Sequence, residues 1–114
     1  MNTYCAVGRL TRNPVVRFEG DGIQAATATL SIEEPTTRDK PFTLFIPLTF
    51  WGKSAEAVST LGAHDLVSLT GKLKWRKLTD KDGQDKSSLV VDVRSIELLQ
   101  PAAAHVEAGV HSND

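Results

Sequence analysis

The stretch Phe42-Thr-Leu-Phe-Ile-Pro-Leu-Thr-Phe-Trp51 decides the fold, because it separates into two unlike rows when it is read as an extended strand. One row is wholly apolar, as the core of a sheet or barrel requires, and consists of Phe42, Leu44, Ile46, Leu48 and Phe50. The other row places two aromatic rings, Phe45 and Trp51, among small or compact residues. The strand is therefore predicted to bury its first row and to hold both rings on its opposite face.

Two interpretations of these rings are open at this point. Proteins hold single-stranded nucleic acid without reading its sequence by stacking the flat bases on aromatic side chains. Alternatively, a loop or a subunit interface covers Phe45 and Trp51, since large apolar side chains are commonly shielded from water. Both interpretations place the rings outside the core of this chain.

The composition indicates a single globular domain. The chain has 114 residues, of which 40% are hydrophobic and 24% charged, and no run approaches the roughly 18 apolar residues that a membrane helix needs. Its N-terminus lacks the layout of a secretory signal, so we expect a cytoplasmic location. The single Cys5 excludes an internal disulfide, and the three histidines lack ligand spacing, so neither metal nor cofactor is predicted. No nucleophile, base and orienting acid can be assembled, and no enzyme activity is expected.

Charge is nearly balanced over the whole chain but is clustered locally. The formal net charge is −1, and residues 100–114 hold two acids and no Lys or Arg, which leaves 13 basic and 12 acidic residues in 1–99. Two acid-free basic clusters lie within that range, and their members are Arg9, Arg12 and Arg17, and Lys72, Lys74, Arg76 and Lys77. Lys72, Lys74 and Arg76 alternate along one face of a predicted strand, which favours an electrostatic groove over a merely solvated face.

Alternation and turn signals predict five strands and one short helix. The strands are expected at residues 4–10, 23–33, 42–51, 65–76 and 89–99, and the helix at 54–61. Residues 15–18 can resume the extended structure of the first strand. This order is the layout of the all-β OB-fold, a five-stranded Greek-key barrel with a helix between strands 3 and 4 that binds oligonucleotides. We predict this domain over residues 1–99 and a short flexible tail over 100–114.

Two further side chains are assigned by the same alternation. Trp75 shares the parity of Leu73, so packing or an interface is favoured over contact with a base, although a slip at Gly71 would reverse the assignment. Cys5 alternates with Val7 and is predicted to be a small core residue.

Four segments, taken in order, carry a family pattern over residues 1–99. They are Gly8-Arg-Leu-Thr-Arg-Asn-Pro-Val-Val-Arg17, the Ala- and Thr-rich strand after Gly22, Phe50-Trp-Gly-Lys-Ser-Ala-Glu56, and Val67-x-Leu-x-Gly-x-Leu73 with Arg76 and Thr79-Asp-x-x-Gly83. Together they make the chain resemble the bacterial single-stranded DNA-binding proteins. Each segment alone is common, so the resemblance depends on their joint occurrence at matching spacing.

The resemblance implies sequence-independent binding of single-stranded DNA in replication, recombination or repair. It implies that Phe45 and Trp51 stack bases and that Lys53 contacts a phosphate. It also assigns a basic groove to Arg9, Lys72, Lys74 and Arg76. The implied partners are single-stranded DNA, further copies of the chain (a tetramer is favoured over a dimer) and replication or repair proteins, close to the bacterial nucleoid.

The chain departs from the family pattern at a few positions. Leu78 stands where Trp is common, and the sequence ends Val-His-Ser-Asn-Asp114 instead of in an acidic tip with a terminal Phe that recruits other enzymes. The near-zero charge and the reduced aromatic set favour a second hypothesis, a primosomal-type OB-fold module that contacts other proteins and binds single-stranded DNA weakly. Affinity and assembly state distinguish the two hypotheses.

Overall fold

The computed structural model describes residues 1–35 and 42–102, which form six strands and one helix. The strands are β1 (Tyr4–Leu10), β2 (Val15–Glu19), β3 (Gly22–Glu34), β4 (Phe42–Trp51), β5 (Leu66–Thr79) and β6 (Asp85–Gln100), and the helix is α1 (Lys53–Ser59). From residue 103 onward the predicted tail lies outside the described residues. Within these two ranges α1 is the one helix, and it is too short to cross a membrane.

The strands close into a barrel because β1 pairs with a strand on each of its sides. β1 lies antiparallel to β5, and its last two residues also pair with β3, through Arg9–Ser31 and Leu10–Leu30. β3 pairs with β4, β4 pairs in parallel with β6, and β6 pairs with β5, which completes the ring. The predicted OB-fold is confirmed, with α1 between the third and fourth strands of the barrel. The additional strand, β2, follows β1 after a short break and pairs along the edge of β3.

The interior of the barrel holds apolar side chains from each of its five strands and from α1. The fully packed members of this core are Leu10, Ala26, Leu30, Leu48, Phe50, Ala55, Val58, Val67, Leu69, Val91 and Val93. In β4 the predicted core row is buried at Leu48 and Phe50 and becomes exposed at Phe42, the first residue of the strand. Each buried Leu or Phe side chain contributes about 1.5–3 kcal/mol of hydrophobic stabilisation. The core row predicted for β4 is therefore confirmed along the part of the strand that crosses the barrel.

The prediction that Cys5 is a core residue is wrong, because β1 turns its other row inward. Cys5 and Val7 are exposed, whereas Gly8 and Leu10 are buried. Leu10 belongs to the core, and alternation along the strand then directs Cys5 to the outside. A Cβ atom at Gly8 would overlap the carbonyl oxygen of Ser31, so β1 and β3 can approach this closely only with glycine there.

β5 and β6 extend from the barrel as a two-stranded arm, defined here as residues 72–92. The base of the arm still belongs to the barrel, because Val91 and Asp92 pair with β4, and the remainder projects beyond it. The prediction ended the fourth strand at residue 76 and began the fifth at 89, whereas the pairing continues to Thr79–Asp85. Asp80 stabilises the turn at the tip, since its Oδ1 accepts hydrogen bonds of 2.9 Å from the N–H groups of Asp82 and Gln84. The strands bend into the arm at a β-bulge, where Arg94 of β6 is the extra residue.

Trp75 lies on this arm and not in the core. It keeps the predicted parity with Leu73 because the extra residue of the bulge belongs to β6 and not to β5. Beyond the barrel, however, the face that carries Leu73 and Trp75 no longer borders the core. Trp75 is 69% exposed, and the neighbouring Leu73 and Leu89 are 40% and 49% exposed. Core packing of Trp75 is therefore wrong within the described residues, and its role in an interface stays a prediction.

We expect Gly71→Ala to lower the free energy of unfolding by about 1–3 kcal/mol, the usual effect of overpacking. An added Cβ would overlap the carbonyl oxygen of Asp92, and main chain in the middle of a paired strand cannot move aside. Gly22→Ala is the matched control, because nothing lies within 4 Å of a Cβ at that position. Urea unfolding followed by circular dichroism compares the variants. Equal stability of Gly71→Ala and the parent chain would contradict the close approach of β5 and β6.

Candidate nucleic-acid interface

A shallow groove runs over the outer faces of β3 and β4, with a floor of small or compact side chains. The floor residues share one face through the β3–β4 register and are Ala25, Thr27, Thr29 and Ser31 of β3 with Pro47 and Thr49 of β4. Phe45 and Trp51 lie in the same outer row of β4, one toward each end of this floor. The two rings are six positions apart along the strand, a distance of about 20 Å.

Both rings lie on the face that alternation predicted and are accessible to a ligand. Phe45 is 63% exposed and Trp51 is 54% exposed, so nothing within residues 1–35 and 42–102 buries either one. The main chain at Trp51 is held by Ser54, whose Oγ accepts a hydrogen bond from the Trp51 N–H (3.1 Å) and donates one to the Trp51 carbonyl (3.0 Å). Gly52, with φ of 58°, makes the sharp turn from β4 into α1, and the exposed Lys53 is the first residue of that helix.

Trp51 has a cationic neighbour that the sequence did not reveal. The register aligns Arg17 of β2 with Ala25 of β3, and Ala25 with Trp51 of β4. The Cζ atom of Arg17 lies 5.7 Å from the centroid of the Trp51 ring, within the range of a cation–π interaction. The sequence places Arg17 in a basic cluster and at the end of the first family segment, and neither feature indicates contact with a ring. Its contact with Trp51 depends on the pairing of three strands.

Phe45 lies in the same outer row of β4, but none of the described residues places a cation over its ring. The register aligns Arg9 of β1 with Ser31, and Ser31 with Phe45. The guanidinium of Arg9 instead turns toward the loop before β5, where Nη1 donates a hydrogen bond of 2.9 Å to the carbonyl of His64. The position of Arg9 is therefore at the end of the groove, but its guanidinium is directed away from the Phe45 ring.

The predicted cations Lys72, Lys74 and Arg76 share the outer face of the arm with an acid. In the strand register, Lys72 of β5 lies opposite Asp92 of β6, and Asp92 lies opposite Thr49 on the groove floor. The Nζ of Lys74 lies 2.9 Å from Oδ2 of Asp92, whose side chain is only 19% exposed. One of the three predicted groove cations is thus already neutralised by an acid on the same face.

Arg76 lies on the arm, on the side of the groove opposite β2. It lines two open cavities of about 240 and 270 Å³ that lie along the groove. The first is also lined by Arg17 and Trp51, and the second by Arg12 and Pro47. The arm and β2 therefore form two cationic walls on either side of a floor of small residues.

A barrel of this topology, with exposed rings and cations around one outer groove, defines a class of protein that binds single-stranded nucleic acid. Stacked bases need accessible aromatic faces, and phosphates need cations within reach along the same path. The groove meets both requirements, and the hydroxyl groups on its floor both donate and accept hydrogen bonds, so they favour no single base.

Comparison with known proteins identifies the family. The model of the single-strand binding protein family matches residues 1–99. The chain is 30% identical to single-stranded DNA-binding protein 2 of Listeria monocytogenes, over 99% of this chain and 72% of the relative. It is 29% identical to the single-stranded DNA-binding protein of Clostridium tetani, over 88% of this chain and 71% of the relative. The chain therefore belongs to the single-strand binding protein family.

A solved structure supports the fold assignment. The structure of a Plasmodium falciparum SSB in complex with ssDNA superimposes on this chain with a TM-score of 0.75. Sequence identity is 19%, and the match covers 88% of this chain and 96% of that chain. At this level of identity the similarity establishes the fold, and the roles of individual residues must be argued from this chain's own geometry.

We expect Asp92→Asn to strengthen binding of single-stranded oligo-dT by about 3- to 10-fold at low salt, because it removes a negative charge from the groove and releases Lys74 for a phosphate. One additional phosphate contact would steepen the dependence of log affinity on log salt by about 0.7. Asp21→Asn makes the same charge change at an exposed turn and serves as control. Fluorescence anisotropy of labelled oligo-dT measures both quantities. Unchanged or weaker binding by Asp92→Asn would show that Lys74 is not restrained by this pair.

Proposed function

We propose that this chain binds single-stranded DNA without sequence preference, through the groove between β2 and the arm, and that it acts in DNA replication, recombination or repair. Family membership supports the ligand. The observation that carries the proposal is that Phe45 and Trp51 are exposed on one outer face of β4, and that Trp51 lines a cavity together with one cation from each wall, Arg17 and Arg76. An OB-fold groove of this kind accommodates about 4–16 nucleotides.

The proposed roles divide between stacking and charge neutralisation. Phe45 and Trp51 each stack a base, and such a contact contributes about 1–3 kcal/mol as measured by alanine substitution. Four predicted cations neutralise phosphates along the groove, and these are Lys53, Lys72, Lys74 and Arg76. Lys74 does so by exchanging its partner Asp92 for a phosphate. Arg9 contributes less than the others, because its guanidinium is hydrogen bonded to the His64 carbonyl.

Locally placed cations explain how a nearly neutral chain can bind a polyanion. The field that a phosphate experiences depends mainly on charges within a Debye length, about 8 Å at physiological salt. Arg76 and Arg17 line a single cavity of the groove, so a phosphate there lies close to both guanidinium groups. We therefore expect the affinity to fall steeply with salt even though the net charge of the chain is −1.

The remaining parts of the proposal follow from the family and the sequence. Residues 1–99 act as the binding domain. The chain works in the bacterial cytoplasm at the nucleoid, as a binding protein without catalytic activity, and replication or repair proteins are its further partners. It assembles as a homo-oligomer, with a tetramer favoured over a dimer, and the edge of β1 next to the exposed Cys5 and Val7 is the contact surface.

A primosomal-type interaction module is the second candidate function. One observation favours it: the face of the arm opposite its cations carries the exposed Leu73, Trp75 and Leu89, an apolar patch suited to a protein partner. The pairing of Lys74 with Asp92 also weakens the groove. A dimeric mass together with high-micromolar affinity for oligo-dT would favour this function over the first.

We expect Trp51→Ala and Phe45→Ala each to weaken binding of oligo-dT by about 5- to 150-fold, the range that corresponds to 1–3 kcal/mol per stacked base. Trp75→Ala is the matched control, since it removes a ring at least as exposed, from the face of the arm opposite its cations. Anisotropy titration at two salt concentrations measures all three variants. If both groove variants bind like the parent chain, the stacking role of these rings is wrong.

We expect light scattering of the purified chain to give a mass four times that of one chain. In the described residues the outer edge of β1 is paired with β3 only at Arg9 and Leu10, which leaves its earlier main-chain groups available to a second copy. Val7→Lys places a charge on the exposed face of this strand and should lower the mass, while Trp51→Ala should leave it unchanged. A monomeric mass of the parent chain would contradict assembly through β1.

A further inference from the structure

Arg17 contacts the indole ring of Trp51 from one face, while part of the ring remains exposed to solvent. Arg17 lies over one face, at 5.7 Å from the ring centroid, while Trp51 remains 54% exposed. A guanidinium stacks on an aromatic ring through its own flat face. The guanidinium of Arg17 therefore stands over one face of Trp51, and the exposed area of the ring remains available to a ligand.

The small residue between the two side chains makes this contact possible. Ala25 lies between Arg17 and Trp51 in the register, on the outer face of the sheet. It is nevertheless only 8% exposed, as expected for a methyl group covered by its neighbours. A longer side chain at this position would stand between the guanidinium and the ring.

A β-bulge in β3, next to Arg17, is hydrogen bonded to the turn that follows Trp51. The pairing of β2 with β3 shifts directly after Arg17, which leaves Gln24 as the extra residue. The carbonyl of Gln24 accepts a hydrogen bond of 3.0 Å from the N–H of Gly52. Bulges of this kind redirect the side chains beside them. The part of β3 that pairs with Arg17 is thus also hydrogen bonded to Gly52, the residue after Trp51.

We infer that Arg17 is a positioning residue for binding of single-stranded DNA, which holds the indole of Trp51 so that its free face meets a base. This inference rests on the proposed stacking role of Trp51. Arg17 suits the task because its guanidinium has no ion-pair partner within residues 1–35 and 42–102, so the ring is its principal contact there. Arg9, the arginine aligned with Phe45, gives that ring no such support, since its guanidinium is hydrogen bonded to the His64 carbonyl.

A double-mutant cycle tests the inference. We expect Arg17→Met to weaken binding of oligo-dT by about 3- to 10-fold when Trp51 is present, since coupled residues are non-additive. In the Trp51→Ala background the effect should fall to that of Arg12→Met, because only the loss of a groove cation remains. Arg12→Met is the matched control, because Arg12 is an exposed cation of the same groove without a ring contact. Its effect should be the same in both backgrounds.

A second measurement observes the ring without DNA. In a Trp75→Phe background Trp51 is the one remaining tryptophan, and Arg17→Met should lower its fluorescence anisotropy and raise its quenching by acrylamide. Unchanged ring mobility would overturn the inference, as would an equal effect of Arg17→Met in both backgrounds while Trp51→Ala still weakens binding. If Trp51→Ala has no effect on binding, the inference and the stacking role of Trp51 fall together.

Discussion

Closure of the barrel at the end of β1 is the constraint on which the rest of the structure depends. Two residue pairs, Arg9–Ser31 and Leu10–Leu30, join β1 to β3 and turn an open sheet into a ring. Because the ring curves, β2 and the arm rise on opposite sides of the groove over β3 and β4. Without this closure, Arg17 and Arg76 would lie on distant strands of a flat sheet, since β3, β4 and β6 separate β2 from β5.

The electrostatics of the groove depend on which cations are already engaged. Lys74 is paired with Asp92, and the guanidinium of Arg9 is hydrogen bonded to a carbonyl. Arg17 lies over an aromatic ring and Arg76 borders both groove cavities. A count of basic residues in the sequence therefore overstates the charge available to a phosphate. The two arginines on opposite walls are the strongest candidates for that role.

The sequence predicted the parts of the fold and site in which alternation is long and one row is plainly apolar. The ten residues of β4 met this condition, so its core row and the outward direction of Phe45 and Trp51 followed from periodicity. β1 did not, because both of its rows contain small and apolar residues, and Cys5 was assigned to the wrong side. The contact of Arg17 with Trp51 requires the register of three strands and a bulge, which are non-local properties that no single segment encodes.

The arm carries cations on one face and the apolar side chains of Trp75, Leu73 and Leu89 on the other, across a ribbon only two strands wide. Because successive residues of a strand point to opposite faces, a ligand on the cationic side leaves the apolar side free for a second partner. The arm therefore has two separate surfaces, each exposed among the described residues and each open to its own occupant.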